Sequence, residues 1–182
     1  MSYQTTPAFI KYCPKGWDDV RSHPAMAWME KYTNMFDSRA AFDAPHSDWH
    51  TSDYTLHEAN GTIVSGGEAG WAALKNIYSP FSAHLHDPTF LIWWETEKGW
   101  EMIGQADMCA NLAAPGGQKK KDRNGNEWDV IIPSAFHFEY VKDDGAQHDG
   151  ILLRRTEILA DSGPAVVEMM KRGMLKPEEL MK

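Results

Sequence analysis

Apolar positions along the chain recur first at helical and then at strand spacing. Trp28, Met29, Tyr32, Met35 and Phe36 form a stripe that predicts a helix. It opens at Ser22–Pro24, a polar cap followed by a proline in the first turn. Arg39 continues the stripe, where a guanidinium needs a partner such as Asp43, water or a wet cavity. Pro45 ends this element. Trp71, Leu74, Ile77, Tyr78 and Phe81 define a second helix that ends near Pro80. Its start, Ser65-Gly-Gly-Glu68, has capping-box spacing. A short third helix lies between Ser162 and Gly173, with Val166, Val167, Met169, Met170 and Met174 as its apolar residues.

The spacing of two predicts the strands. Tyr54–Glu58 is a short strand before the turn at Asn60–Gly61. Thr89–Glu95 is almost wholly apolar and reads as a central strand. Beyond Gly99, Trp100–Leu112 sets Trp100, Met102, Ala106 and Met108 on one face and Glu101, Gln105, Asp107 and Asn111 on the other. Pro133–Leu159 forms a hairpin around a polar, Gly-containing turn, with Phe136, Phe138 and Tyr140 opposite His137 and Glu139. Such a hairpin needs further strands or a helix on its apolar face. Residues 1–22 lack periodicity and read as an arm. Lys119–Lys121 with Arg123 reads as a solvated basic loop.

Composition narrows the function. A net charge of −8 argues against a nucleic-acid backbone as partner. The two cysteines, Cys13 and Cys109, lack metal or disulfide spacing, which suits a reducing compartment. No long apolar segment marks a signal or a membrane span, so a cytoplasmic protein is expected. The eight Trp, seven Phe, six Tyr and ten Met supply either a large-residue core or a wide apolar cavity. There is no internal repeat or linker, and residues 1–182 read as one domain with its core at about 24–160.

The order helix, short strand, helix, then long hairpin strands resembles the SnoaL-like branch of the NTF2-like superfamily. The aromatic first helix carries this resemblance, with Ser52-Asp-Tyr-Thr-Leu-His-Glu-Ala-Asn-Gly61 and Gly66-Gly-Glu-Ala-Gly-Trp-Ala-Ala73. The hairpin sequence, Phe136-His-Phe-Glu-Tyr with Asp143-Asp-Gly and Gly150-Ile-Leu-Leu-Arg-Arg155, completes it. The resemblance implies an α+β cone: a curved, mainly antiparallel sheet with N-terminal helices on its concave face. It also implies cofactor-independent isomerisation, cyclisation or dehydration of a polyketide- or terpenoid-type intermediate. A non-catalytic small-molecule binding protein and a dimeric interaction module are the alternatives on the same fold. An apolar small molecule and a second copy of the chain are the expected partners, since small cones often leave one sheet face open.

Proton transfer at a carbonyl or enol needs a base near neutral pKa, an oxyanion donor and a dry pocket. The resemblance puts Glu58 where related isomerases keep a carboxylate, with Glu in place of Asp and without the following Pro. Arg39, Tyr32, Asp107 and His137 complete the candidate set as donors or alternative bases. His84 and His86 can share a strand face, but sequence places no third ligand beside them, so neither a metal nor a cofactor is expected. No phosphate-cradling loop and no nucleophile elbow is present.

Overall fold

A computed structural model describes residues 5–180. In chain order its elements are β1 (Phe9–Tyr12), α1 (Pro24–Asp37), β2 (His50–His57), β3 (Ile63–Ser65) and α2 (Gly67–Ile77). They continue with β4 (Phe81–Glu95), β5 (Gly99–Leu112), β6 (Lys120–Lys121), β7 (Glu127–Trp128), β8 (Val130–Lys142), β9 (Ile151–Ala160) and α3 (Gly163–Lys171). Seven strands form one sheet in the order β1-β4-β5-β8-β9-β2-β3, and β6 and β7 pair by themselves. Every pairing is antiparallel except β2 with β9. This is the expected α+β arrangement around a curved sheet.

Helix α1 has Pro24 in its first turn and buries Met26, Trp28, Met29, Tyr32 and Phe36. Its N-cap is His23 and makes no side-chain cap bond, so the polar cap expected at Ser22 is not used. The chain reverses at Arg39, whose φ of 61° is unusual for a residue with a Cβ. Its guanidinium donates to the carbonyls of Tyr78 and Phe81, tying the end of α1 to the corner between α2 and β4. This is the partner the stripe required, and it is backbone rather than Asp43.

The capping box expected at Ser65 also fails. Ser65 belongs to β3, and α2 starts from Gly66 without a side-chain cap. The glycines serve close approach instead. A Cβ on Gly67 would stand 2.5 Å from His46, and one on Gly70 would stand 2.6 Å from the Tyr54 ring. Only a bare backbone lets α2 lie this near β2.

The remaining corrections concern extent. β4 begins eight residues before Thr89, and its pairing with β5 shifts register at Pro88, where proline cannot continue the ladder. Part of the presumed arm is β1, with Phe9 stacked 5.2 Å from Trp93; its first four residues lie outside the described region. The basic loop is also tied down: Lys119 and Arg172 meet buried Asp129, and Arg123 meets Asp87. Among the described residues no helix is long and apolar enough to cross a membrane.

Most aromatic side chains fill the core. Trp28 stacks on Tyr32 at 5.4 Å and meets Trp49 and Tyr140 edge-on, while Phe36, Trp71 and Tyr78 seal α1 and α2 together. Tyr32 and Trp71 are 5% and 4% exposed, as expected for helices packed on a shared sheet.

Candidate active site

Between α1 and the sheet a cavity of about 60 Å³ remains, lined by Tyr32, Thr33, Tyr78, His86, Met102 and Phe136 among others. Its walls are overwhelmingly apolar, so each polar group on them counts. Tyr78, Phe136 and Ile158 also border a second cleft, of about 250 Å³, which runs beneath α3 past Ala165 and Met169. A dry cavity of about 150 Å³ is what a benzene-sized ring occupies, so the inner space alone is too small for one. The outer cleft, which has Tyr78, Phe136 and Ile158 in common with it, is large enough.

The polar cluster that reaches the inner cavity through His86 comes from α1 and β4. Asp37, the last residue of α1, lies one helical turn beyond the cavity residue Thr33. His84 and His86 alternate onto the same face of β4. Asp37 Oδ1 is 2.6 Å from His86 Nδ1, and Asp37 Oδ2 accepts the His86 backbone N–H at 2.9 Å. Both carboxylate oxygens are thus spent on one residue, which fixes the ring's orientation. A carboxylate accepts only, so the Nδ1 proton points at Asp37 and the Nε2 lone pair points away from it. The Tyr78 hydroxyl meets that lone pair at 2.9 Å. Burial pushes the Tyr78 phenol well above its ordinary pKa, with the Asp37 charge adding to the effect, so it stays protonated and donates.

Tyr32 supplies a second hydroxyl, 3.1 Å from His50 Nε2. Burial raises the Tyr32 pKa and lowers that of His50 to about 3, so this pair is neutral. His84 is completely buried, and desolvation, reinforced by His86, lowers its pKa to about 4. Together Asp37, His84 and His86 hold three donor atoms within 4.8 Å of one another. Asp37 is the third group that sequence reasoning did not place beside the two histidines.

Of the sequence candidates, Tyr32 alone borders the inner cavity. Glu58 sits just after β2 at the rim of the outer cleft, bonded to Asn60 in the turn. Arg39 is engaged with backbone carbonyls. Asp107 alternates away from the lining residues Ala106 and Met108, beside Asp87. His137 lies on the convex face, bonded to Glu101 at 2.9 Å and met by Arg155. Asp37 stands at the end of α1 and belongs to no motif in the sequence. A four-residue step, Met29, Thr33, Asp37, would have put it on the cavity face.

A cone of this topology with a walled, apolar centre defines a class, the NTF2-like fold. No protein-family model matches the sequence, and no curated protein does. Solved structures do match. A Novosphingobium aromaticivorans protein provisionally named a scytalone dehydratase is 14% identical, with a TM-score of 0.58 over 78% of this chain and 85% of that one. Hexachlorocyclohexane dehydrochlorinase LinA-type3 from Novosphingobium barchaimii is 13% identical, with a TM-score of 0.54 over 76% and 84%. A SnoaL-like polyketide cyclase, also provisionally named, from Shewanella denitrificans is 12% identical, with a TM-score of 0.53 over 82% and 99%. At such identities the likeness is one of fold.

Proposed function

We propose that the chain is a cofactor-independent lyase or isomerase in which the His86–Asp37 pair is the general base, in place of Glu58. The observation that carries this is the 2.6 Å Asp37–His86 contact, which turns the His86 Nε2 lone pair, held by the Tyr78 hydroxyl until a substrate enters, toward an apolar cavity. In such a site the base takes a proton from the carbon next to a substrate carbonyl, and the electron pair moves onto the carbonyl oxygen. Asp37 stabilises the imidazolium that forms. Tyr78 then turns its proton from Nε2 to the developing oxyanion, a role Tyr32 can share from across the cavity.

From the enolate two outcomes balance. If a hydroxyl sits on the β-carbon, the pair returns, the carbon–oxygen bond breaks, and His86 gives its proton to the departing hydroxide as water. Without that leaving group the imidazolium returns the proton to a conjugated carbon, which is isomerisation. The dehydratase and dehydrochlorinase names among the fold neighbours favour elimination. The substrate class we favour is a cyclic, polyketide- or terpenoid-type hydroxy ketone, its ring straddling the Tyr78–Phe136–Ile158 boundary between cavity and cleft. A homodimer remains part of this reading, resting on the exposed convex-face residues Ile103 and Leu159; sedimentation at tens of micromolar tests it.

The experiment is deuterium incorporation. A panel of apolar β-hydroxy ketones is incubated with protein in D₂O, and exchange at the α-carbon and loss of water are followed by mass spectrometry. Exchange that requires His86 supports the proposal. Exchange that persists unchanged in a folded His86→Gln variant removes it.

A further inference from the structure

One group near the dyad has no part in the proton transfer just described. His84 is 0% exposed at its side chain, yet neither ring nitrogen has a hydrogen-bond partner among the described residues. The Phe36 carbonyl is nearby without hydrogen-bond geometry. Asp37 Oδ1 lies 3.6 Å from Nε2. Phe36 and Tyr78 hold the ring at centroid distances of 5.4 and 4.8 Å, so it cannot easily turn to water. A buried polar side chain left without a partner costs roughly 1–3 kcal/mol, and a bound ion is one of the few arrangements that satisfies it.

We infer that Asp37, His84 and His86 form a site for a borderline divalent transition-metal ion of the Zn²⁺ class. The donors are Asp37 Oδ1, His84 Nε2 and His86 Nδ1. Two imidazoles with one carboxylate suit such an ion and not Mg²⁺ or Ca²⁺, which take oxygen ligands. Metal–ligand bonds of about 2.1 Å put the ligand atoms of a tetrahedral ion about 3.4 Å apart. The His84–Asp37 edge, at 3.6 Å, is close to this length. The His86–Asp37 edge, at 2.6 Å, holds a proton where the ion would sit.

The surrounding groups are those a metal site needs. The His86 backbone N–H holds Asp37 Oδ2, leaving Oδ1 for the ion. When His86 Nδ1 binds metal, its proton resides on Nε2, and the Tyr78 oxygen 2.9 Å away accepts it. Ion and proton cannot share this space. Metal loading therefore closes the dyad, and the catalytic and loaded forms exclude each other. The metal site stands on the geometry of the donor set, whether or not the dyad proves catalytic.

The test uses full-length protein stripped with a chelator and titrated with Co²⁺ without substrate, followed by visible absorption and calorimetry. One Co²⁺ per chain is expected, with ligand-field bands that Zn²⁺ abolishes on displacing it. Zn²⁺ should also raise the melting temperature, as a ligand of the folded state does. His84→Asn should weaken Co²⁺ binding at least about 10-fold while melting as a folded protein. Should that variant misfold, Asp37→Asn gives the same reading from the second ligand. Absence of saturable one-to-one binding by the unmodified protein would overturn the inference. So would unchanged affinity in a folded His84→Asn or Asp37→Asn variant. Activity of the stripped protein reports on the dyad alone, so the two proposals fail separately.

Discussion

The two faces of the sheet each carry a histidine beside a carboxylate, and the two pairs are unlike. On the convex face Ile103, His137 and Glu157 stand in one cross-strand row, and Glu101, Glu139 and Arg155 in the next. There His137 has no lone pair to offer, because Nε2–H donates to Glu101 and the Arg155 guanidinium covers Nδ1. The partners are about 30% exposed and balance each other's charge in water. On the concave face the Asp37 side chain is 8% exposed, and it meets His86 from one side only. The other side faces a phenol that can release it. A His–carboxylate pair therefore becomes a base only where one nitrogen stays available and the cavity excludes water. Contact distance does not separate them, since the two pairs are 2.6 and 2.9 Å long.

Substitutions sharpen this contrast. His86→Gln, with Asp37→Asn close behind, should lower turnover by roughly 10²–10⁴, the range for one acid–base group, without loss of fold by circular dichroism. Tyr78→Phe removes the proposed oxyanion donor but keeps the ring against Phe36, and turnover should fall about 10²-fold. KM should change much less than kcat.

A third histidine extends the comparison to pH. Unfolded His50 takes up a proton near its ordinary 6.5, and folded His50 only near 3. Between these values the unfolded state binds more protons. His50 thus contributes stability that is complete above about pH 6.5 and declines as the pH drops toward 3. Melting temperature should fall by roughly 5 °C or more from pH 7 to pH 4.5. His50→Phe should flatten that slope. The smallest effect belongs to the convex pair. His137→Gln should cost about 1 kcal/mol or less, as part-exposed ion networks do, and leave turnover within about two-fold. A large activity loss there would break the contrast.

The sequence carried the fold well, because both helix stripes and the period-two strands report burial directly. Tyr32, Trp71 and Phe136 all sit where their periodicity puts them. It carried the site poorly. Alternation places His137 opposite Phe136 and Phe138, but it does not say which of those faces is concave. Glu58 came from resemblance, and its position in a turn depends on where β2 ends. Asp37 and His86 are 49 residues apart, so only the packing of α1 across β4 brings them together. The place of Arg39 on an apolar stripe shows that it needs a partner, but carbonyls two elements away leave no trace in the sequence.

The central claim is that Asp37 holds the His86 proton on Nδ1 and leaves Nε2 as the base. Nitrogen-15 shifts of the histidine rings, recorded by long-range ¹H–¹⁵N correlation on chelator-treated protein near pH 8, measure this without a substrate. His86 should show a protonated Nδ1 and a lone pair on Nε2, and Asp37→Asn should shift the balance toward the other tautomer. A His86 protonated at Nε2 in the unmodified protein, or a tautomer indifferent to Asp37→Asn, would contradict the account.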